Sequence, residues 1–497
     1  MSAAPAVQQA EPALEARSGL APWVCAELPS PPTPRGLAWL GVVGPGVIVL
    51  GASIGSGEFL LGPAVFVRHG FSLLWVTALA VFLQTVFNTE LMRYTLATGE
   101  PAFTGFMRTR PSSTLWAWFY VGLCFLQLGW APFAATAAGA IFFLVARRLP
   151  EVADAATVYW IGVGTFLACV AVLLVGRRIE RTLELLNGVL VVCILGGFLV
   201  LAVLFVPVET WLAAAAGYAG VDAATGTFAP LPEGADYVLL GALVAFSGAG
   251  GVGNIFLSNW ARDKGYGMGK RVGYIPAAVG GQHVHLAHSG FIFAPDAESL
   301  QRWRGWWRVV RADQWGIFFT GAIFGMALPA LLYVAFLPRG ADIRGLGISA
   351  VLAQRVSAEV GPLLAGAVAF LGAWTLFKTQ LDALEGMVRA VTDILWTGNR
   401  RVKAWRGGDV RAVYYAVLAA IVLWGVVALR LATPIALLQL GANIAGLILL
   451  VASLHLLYVN TRLLPRDLRP PPWRRVALVG MALFYGFFSA LSLSSLF

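Results

Sequence analysis

Charged side chains are scarce in this chain. Lys and Arg together number 35 and Asp and Glu 25 among 497 residues, or 12%, against 59% hydrophobic residues. A soluble domain carries about twice that charged fraction, so a water-soluble fold is excluded and the chain reads as a polytopic membrane protein with the lipid bilayer as its partner. Cysteine is scarce too. Cys25, Cys124, Cys169 and Cys193 are scattered without paired spacing, which argues against a disulfide framework or a cysteine zinc site and makes them small core residues. No catalytic triad, phosphate loop or metalloprotease motif is found, so neither enzymatic chemistry nor a cofactor is expected. The net charge of +10 does not point to nucleic acid, because the bases fall mainly in loops on alternate sides of the predicted helices.

Long apolar runs are what the chain has in abundance. Segments of about 20 residues or more fall near 37–69, 72–98, 114–145, 156–175, 183–207, 237–261, 314–337, 361–395, 412–430, 434–459 and 475–496, which predicts about eleven membrane helices. Residues 1–36 are rich in Ala, Pro and Glu and are expected to be a disordered cytoplasmic tail without a cleavable signal pattern. Arg108, Arg110, Arg177, Arg178, Arg181 and the basic stretches within 262–311, 400–411 and 462–475 share one side. The loop 208–236 on the other side has four acids and no base. The positive-inside rule then places the N-terminus in the cytoplasm and the C-terminus outside the plasma (inner) membrane.

One stretch departs from the apolar pattern. Residues 44–63 read GPGVIVLGASIGSGEFLLGP, with Gly55, Ser56, Gly57 and Glu58 at the centre of the first span. Small residues weaken a helix, and a carboxylate at membrane depth costs about 3 kcal/mol or more unless it meets a partner or water. A broken helix bearing a carboxylate fits a substrate or ion site near the midplane, and a glycine kink with Glu58 paired to a base is the structural alternative. A second break is expected in the sixth span, where residues 247–254 hold four glycines and Asn254 is a candidate N-cap. Five spans separate the breaks, so the two halves enter from opposite sides, as in an inverted repeat.

Three further groups stand out. The segment RWRGWWRVVRADQW closing the 262–313 loop fits an amphipathic anchor. His283, His285 and His288 in the same loop are either metal ligands or, more simply, polar loop residues. In the eighth span Lys378, Asp382, Glu385 and Arg389 fall on one helical stripe, which is either an internal salt ladder or a site where Lys378 acts as a fixed cation in place of a coupling ion.

At its two glycine-rich breaks the sequence resembles the natural resistance-associated macrophage protein (NRAMP) family of divalent-metal transporters, in the amino acid-polyamine-organocation superfamily. The resemblance implies an all-α, LeuT-like fold of two inverted five-helix repeats plus an eleventh helix, with helices 1 and 6 broken. It divides the chain into a first repeat at 37–207, an extracytoplasmic loop at 208–236, a second repeat at 237–460 and a final helix in 461–497. It further implies that Gly55 and Glu58 stand where that family has its motif Asp and Asn, and that Ala52 and Gly248 keep the positions of carbonyl donors. Gly251 stands where the family has its Met, so the soft thioether is missing. The implied metal ligands are Glu58, Ser56, Ala52 and Gly248, within a substrate site that also takes in Gly55, Gly57, Gly251, Asn254, Gln439 and Asn443. For Gln439 and Asn443, plain interhelical hydrogen bonds are the equal alternative.

A lone carboxylate with hydroxyl and carbonyl oxygens suits a hard, hydrated dication such as Mg²⁺ or Mn²⁺ better than iron. The third span has no Asp or Glu, only Gln127, so proton coupling is not expected; Gln127, Lys378 and Asp382 are the candidates for gating or coupling. The expected function is secondary transport of a divalent cation. The alternatives are a carrier of a small organic solute such as an amino acid or amine, and a non-transporting sensor that kept the fold.

Overall fold

A computed structural model describes residues 19–175, 179–232, 234–273, 290–341, 343, 345 and 347–495. His283, His285 and His288 lie outside the described residues. Ten helices are long and apolar enough to cross a membrane: α1 (Pro45–His69), α2 (Phe71–Thr98), α3 (Ser113–Ala146), α4 (Val152–Leu174), α5 (Asn187–Phe205), α7 (Ala297–Phe336), α8 (Pro362–Gly398), α9 (Val410–Ala428), α10 (Pro434–Arg462) and α11 (Pro472–Ser494). The sixth span is absent from that set because it is split into α6a (Tyr237–Phe246) and α6b (Val252–Asp263). Counting this pair as one crossing gives the eleven spans expected from hydropathy.

Burial ranks the helices. The apolar window of α1 is 88% buried, against 33% in α5 and 39% in α4, α9 and α11. α1 is therefore an enclosed helix, as is the split α6, whose residues are nearly all buried, whereas α4, α5, α9 and α11 keep broad exposed faces. The glycines of α1 permit its enclosure: a β-carbon at Gly57 would overlap the Phe246 carbonyl at the end of α6a, and one at Gly51 would overlap the Lys378 ammonium of α8. Close packing of small residues replaces the hydrophobic drive that is missing between helices in lipid.

Both predicted interruptions are present, in different forms. In α6 the chain leaves the helix between Phe246 and Val252, with Gly248, Gly250 and Gly251 at φ +105°, +68° and +54°, values that residues with a β-carbon rarely adopt. In α1 the interruption is a π-helical segment, Ile54–Leu61, within a continuous helix. Wide turns of this kind mark functional sites because they release the regular hydrogen-bond ladder without unwinding the chain.

Two features were not expected. α3 consists of Ser113–Leu128 and Pro132–Ala146, joined by a turn at 129–131 in which Ala131 has φ +46°. Residues 19–35, assigned to a disordered tail by composition, have defined positions. Val24–Cys25 pairs in parallel with Phe291–Ile292, Leu28 is fully buried and Trp306 donates to the Pro29 carbonyl at 2.8 Å. Trp23, Leu28 and the prolines gain a partner surface that composition alone does not reveal. The RWRGWWRVVRADQW segment also differs from a separate interfacial anchor, because it forms the first turns of α7.

Candidate functional site

Glu58 sits in the π-helical segment of α1 and is fully buried. One carboxylate oxygen accepts from the Gly248 amide at 3.2 Å, while Oε2 has no hydrogen-bond partner among the described residues. No ion pair to Glu58 occurs among the described residues. The alternative of a structural partnership with Lys378 fails, because Lys378 pairs with Asp382 at 2.7 Å. The break in α6 thus presents an amide to one oxygen of Glu58 and leaves the other available.

The rest of the break is held by two glutamines. Gln84 of α2 donates to the Ser247 carbonyl at 2.8 Å and accepts from the Gly250 amide at 3.3 Å. Gln127 of α3 donates to the Gly250 carbonyl at 3.0 Å and accepts from the Val252 amide at 2.8 Å. Non-helical backbone at membrane depth survives only when its polar groups are satisfied in this way. Gln127 occupies the capping role expected of Asn254, whose side-chain amide instead donates to Asn88 at 2.9 Å. Gln84 is the functional residue that sequence reasoning missed. A glutamine within the apolar run of α2 was the available signal.

The other expected site residues divide into two groups. Ala52 is partly exposed, as are Ala249 and Gly253 in the second broken helix, although their sequence neighbours are mostly buried. Gly55 packs on Thr379, and Gly57 on Phe246. Gly251 abuts Gln127 and Ala445. The Ser56 side chain lies outside the described part of the structure. Asn443 is placed away from the break: its amide donates to the Val238 carbonyl at 3.0 Å, near the start of α6a, and to Gln439 at 2.9 Å, while Oδ1 accepts from Ser492 at 2.7 Å. Val238 is nine residues from Ser247, or roughly 13 Å along a helix. Helix α10 meets the break through Ala445, on a different face from Asn443, so the interhelical reading describes Asn443, whose partners Val238 and Ser492 lie on other helices, while Gln439 contributes only its backbone carbonyl, to Asn443 of its own helix.

The charged stripe of α8 resolves into two halves. Lys378 and Asp382, both buried, pair with each other, and Asn187 of α5 donates to Asp382 at 3.0 Å. The ammonium lies against Gly51, so this half joins α1, α5 and α8. Glu385 and Arg389 face α6b instead, where Arg389 pairs with Asp263 and Trp260 donates to Glu385 at 2.8 Å.

The end of α1 nearest the N-terminus is closed by four contacts. The Asp313 carboxylate at the base of α7 accepts from the Gly44 and Gly46 amides at 2.9 and 2.8 Å. Lys264 donates to the Val43 carbonyl at 3.1 Å and Tyr266 to the Val42 carbonyl at 2.7 Å. Among the described residues no group of three or more His, Cys, Asp or Glu stands together. A cation at Glu58 would therefore be held by one carboxylate, backbone or hydroxyl oxygens, and its own water.

Neither a protein-family model nor a curated protein matches the sequence. Solved structures of the same architecture do. A histidine-to-alanine variant of the manganese transporter of Eremococcus coleocola aligns over 93% of this chain and 89% of its own, with a TM-score of 0.64 and 17% identity. Its glutamate-to-alanine and glutamate-to-glutamine variants align over the same shares, with TM-scores of 0.62 and 0.63 at 17% and 16% identity. The chain is thus similar in fold to that transporter, and its architecture is the LeuT-like helical membrane fold.

Proposed function

We propose that this chain is an NRAMP-like secondary transporter that moves a hard divalent cation, Mg²⁺ or Mn²⁺, by alternating access around the breaks in α1 and α6. The observation that carries the reading is the Oε2 of Glu58 beside the α6 break, which meets no partner among the described residues. A buried carboxylate without a cationic neighbour requires a proton or a bound cation, and the fold is shared with a manganese transporter. Glu58 supplies the charge. Ser56 and the carbonyls of Ala52 and Gly248 supply neutral oxygens, and retained water completes the coordination, a donor set without the thioether that favours softer metals.

The loop charges make the N-terminal face cytoplasmic and the C-terminus external in this reading. Release toward the cytoplasm then requires α1 to leave Asp313, Lys264 and Tyr266. Lys378, held against α1, serves as a fixed cation at the α1, α5 and α8 junction, so neither a second ion nor a proton gradient is needed there. The cargo class is tested by thermal unfolding of purified protein with MgCl₂, MnCl₂, amino acids or amines. A ligand that binds only the folded state at 100 times its Kd adds about 2.7 kcal/mol of stability. The expected result is a concentration-dependent rise with the dications alone; a rise with an amino acid or amine alone would assign the site to an organic solute.

A further inference from the structure

Where α7 crosses the membrane interface on the N-terminal face, its exposed side carries Arg304, Arg308 and Arg311. Steps of four and three residues align these side chains in one stripe. None forms an ion pair among the described residues, whereas nearby Arg302 pairs with Glu27 and Glu298. Trp307 lies on the same side and gathers two more guanidiniums, Arg93 of α2 at 4.5 Å from the ring centroid and Arg474 of α11 at 4.8 Å. Among the described residues Glu90 is the acid that pairs with them, with Arg93 at 2.8 Å and Arg474 at 2.9 Å. Asp467 on the adjacent turn is outnumbered by Arg466 and Arg469. The cluster keeps an excess of positive charge.

An apolar track starts where this charge ends. Trp473, Val476, Val479, Leu483 and Phe487 are all exposed on α11, at steps of three and four residues that place them on one side of the helix. It begins beside Arg474 and runs toward the opposite face. A ligand matching both parts has an anionic phosphate at the interface and a long hydrocarbon chain in the membrane. We propose that α7, α2 and α11 form a binding site for an anionic phospholipid of the leaflet on the N-terminal face, its phosphate on the arginine stripe and an acyl chain along α11. This site is separate from the cation site and does not depend on the cargo.

The test is full-length protein in nanodiscs containing equal amounts of phosphatidylglycerol and phosphatidylcholine, followed by native mass spectrometry of the lipids retained on detergent extraction. The unaltered protein is expected to retain phosphatidylglycerol over phosphatidylcholine by about tenfold or more, the scale set by several arginines at a membrane surface. The variant carrying Arg304→Gln, Arg308→Gln and Arg311→Gln should lose most of that preference. These side chains are exposed, so the variant is expected to fold, and its melting temperature in phosphatidylcholine should match that of the unaltered protein. A second arm compares thermal stabilisation by phosphatidylglycerol vesicles with that by inorganic phosphate. Equal retention of both lipids, a preference unchanged in the variant, or equal stabilisation by inorganic phosphate would each overturn the lipid site.

Discussion

Gln127 illustrates how one side chain sets the shape of the site. It is the only long polar residue of α3 facing the α6 break, and both ends of its amide are used there. Replacing it by leucine keeps the volume, leaves the Val252 amide unpaired and takes from the Gly250 carbonyl one of two donors, the Gly253 amide being the other, at about 1–3 kcal/mol for a stranded buried group. Gln127→Leu is expected to lower the unfolding midpoint clearly, whereas Gln439→Leu should change stability by less than about 0.5 kcal/mol. Equal effects in thermal melts would mean that Gln127 does not hold the break. Lys378 allows a similar comparison. Lys378→Met strands the buried Asp382 carboxylate and should cost about 3–5 kcal/mol, and adding Asp382→Leu should recover most of the loss, because an apolar pair replaces a buried ion pair at little cost. A double variant no more stable than Lys378→Met would show that the pair is not a self-contained unit. Glu58, Gln127 and Lys378 were legible as polar residues in apolar runs. Their partners were not, since Gly248 lies 190 residues from Glu58 and Gly250 lies 123 from Gln127.

Helices announced themselves by length and apolarity, and the α6 break by glycines that adopt positive φ. The π-helical form of the α1 break had no such signature, because Gly55 and Gly57 serve close approach to Thr379 and Phe246. The turn in α3 was written as Gly129, Trp130, Ala131, Pro132, yet the surrounding hydropathy concealed it. The ordered strap at 19–35 depends on a tertiary partner, Glu100, which accepts from Trp23 at 3.1 Å, Tyr94 at 2.6 Å and the Gly290 amide at 2.9 Å. Burial alone would raise the Glu100 carboxyl, but the Arg108 guanidinium, with these donors, holds it below the usual carboxylate range. A depressed folded-state pKa means that this anchor is fully present above the ordinary carboxylate pKa and is lost as pH falls through the lower folded value. Hydrogen exchange at the amides of Val24 and Ala26, which bond to Gly290 and Ile292, should therefore speed up in strongly acidic buffer and, at neutral pH, in Glu100→Gln. Unchanged exchange in Glu100→Gln would show that the strap is held independently of this carboxylate.

At the scale of the whole molecule, the proposed topology of eleven crossings would put the two termini on opposite sides of the membrane. A reporter fused after residue 497 should read outside and one at residue 1 inside; a C-terminal signal from the cytoplasm would contradict the orientation. The proposed alternating-access cycle would require the contacts of Asp313, Lys264 and Tyr266 at the start of α1 to open, and the proposed cargo to be drawn by one negative charge in a water-poor site. Because Gln127 is committed to the α6 break and α3 has no carboxylate, uptake should change little when a proton gradient is imposed.

The most direct measurement is Mn²⁺ uptake into proteoliposomes by the unaltered protein and by Glu58→Gln, with the melting temperature of each taken from the same preparation. The substitution preserves size and hydrogen bonding while removing the charge that a dication requires in a low-dielectric site. Uptake is expected to fall on the order of a hundredfold or more at an unchanged melting temperature, since Glu58 forms no ion pair among the described residues. Undiminished uptake by Glu58→Gln would contradict the account.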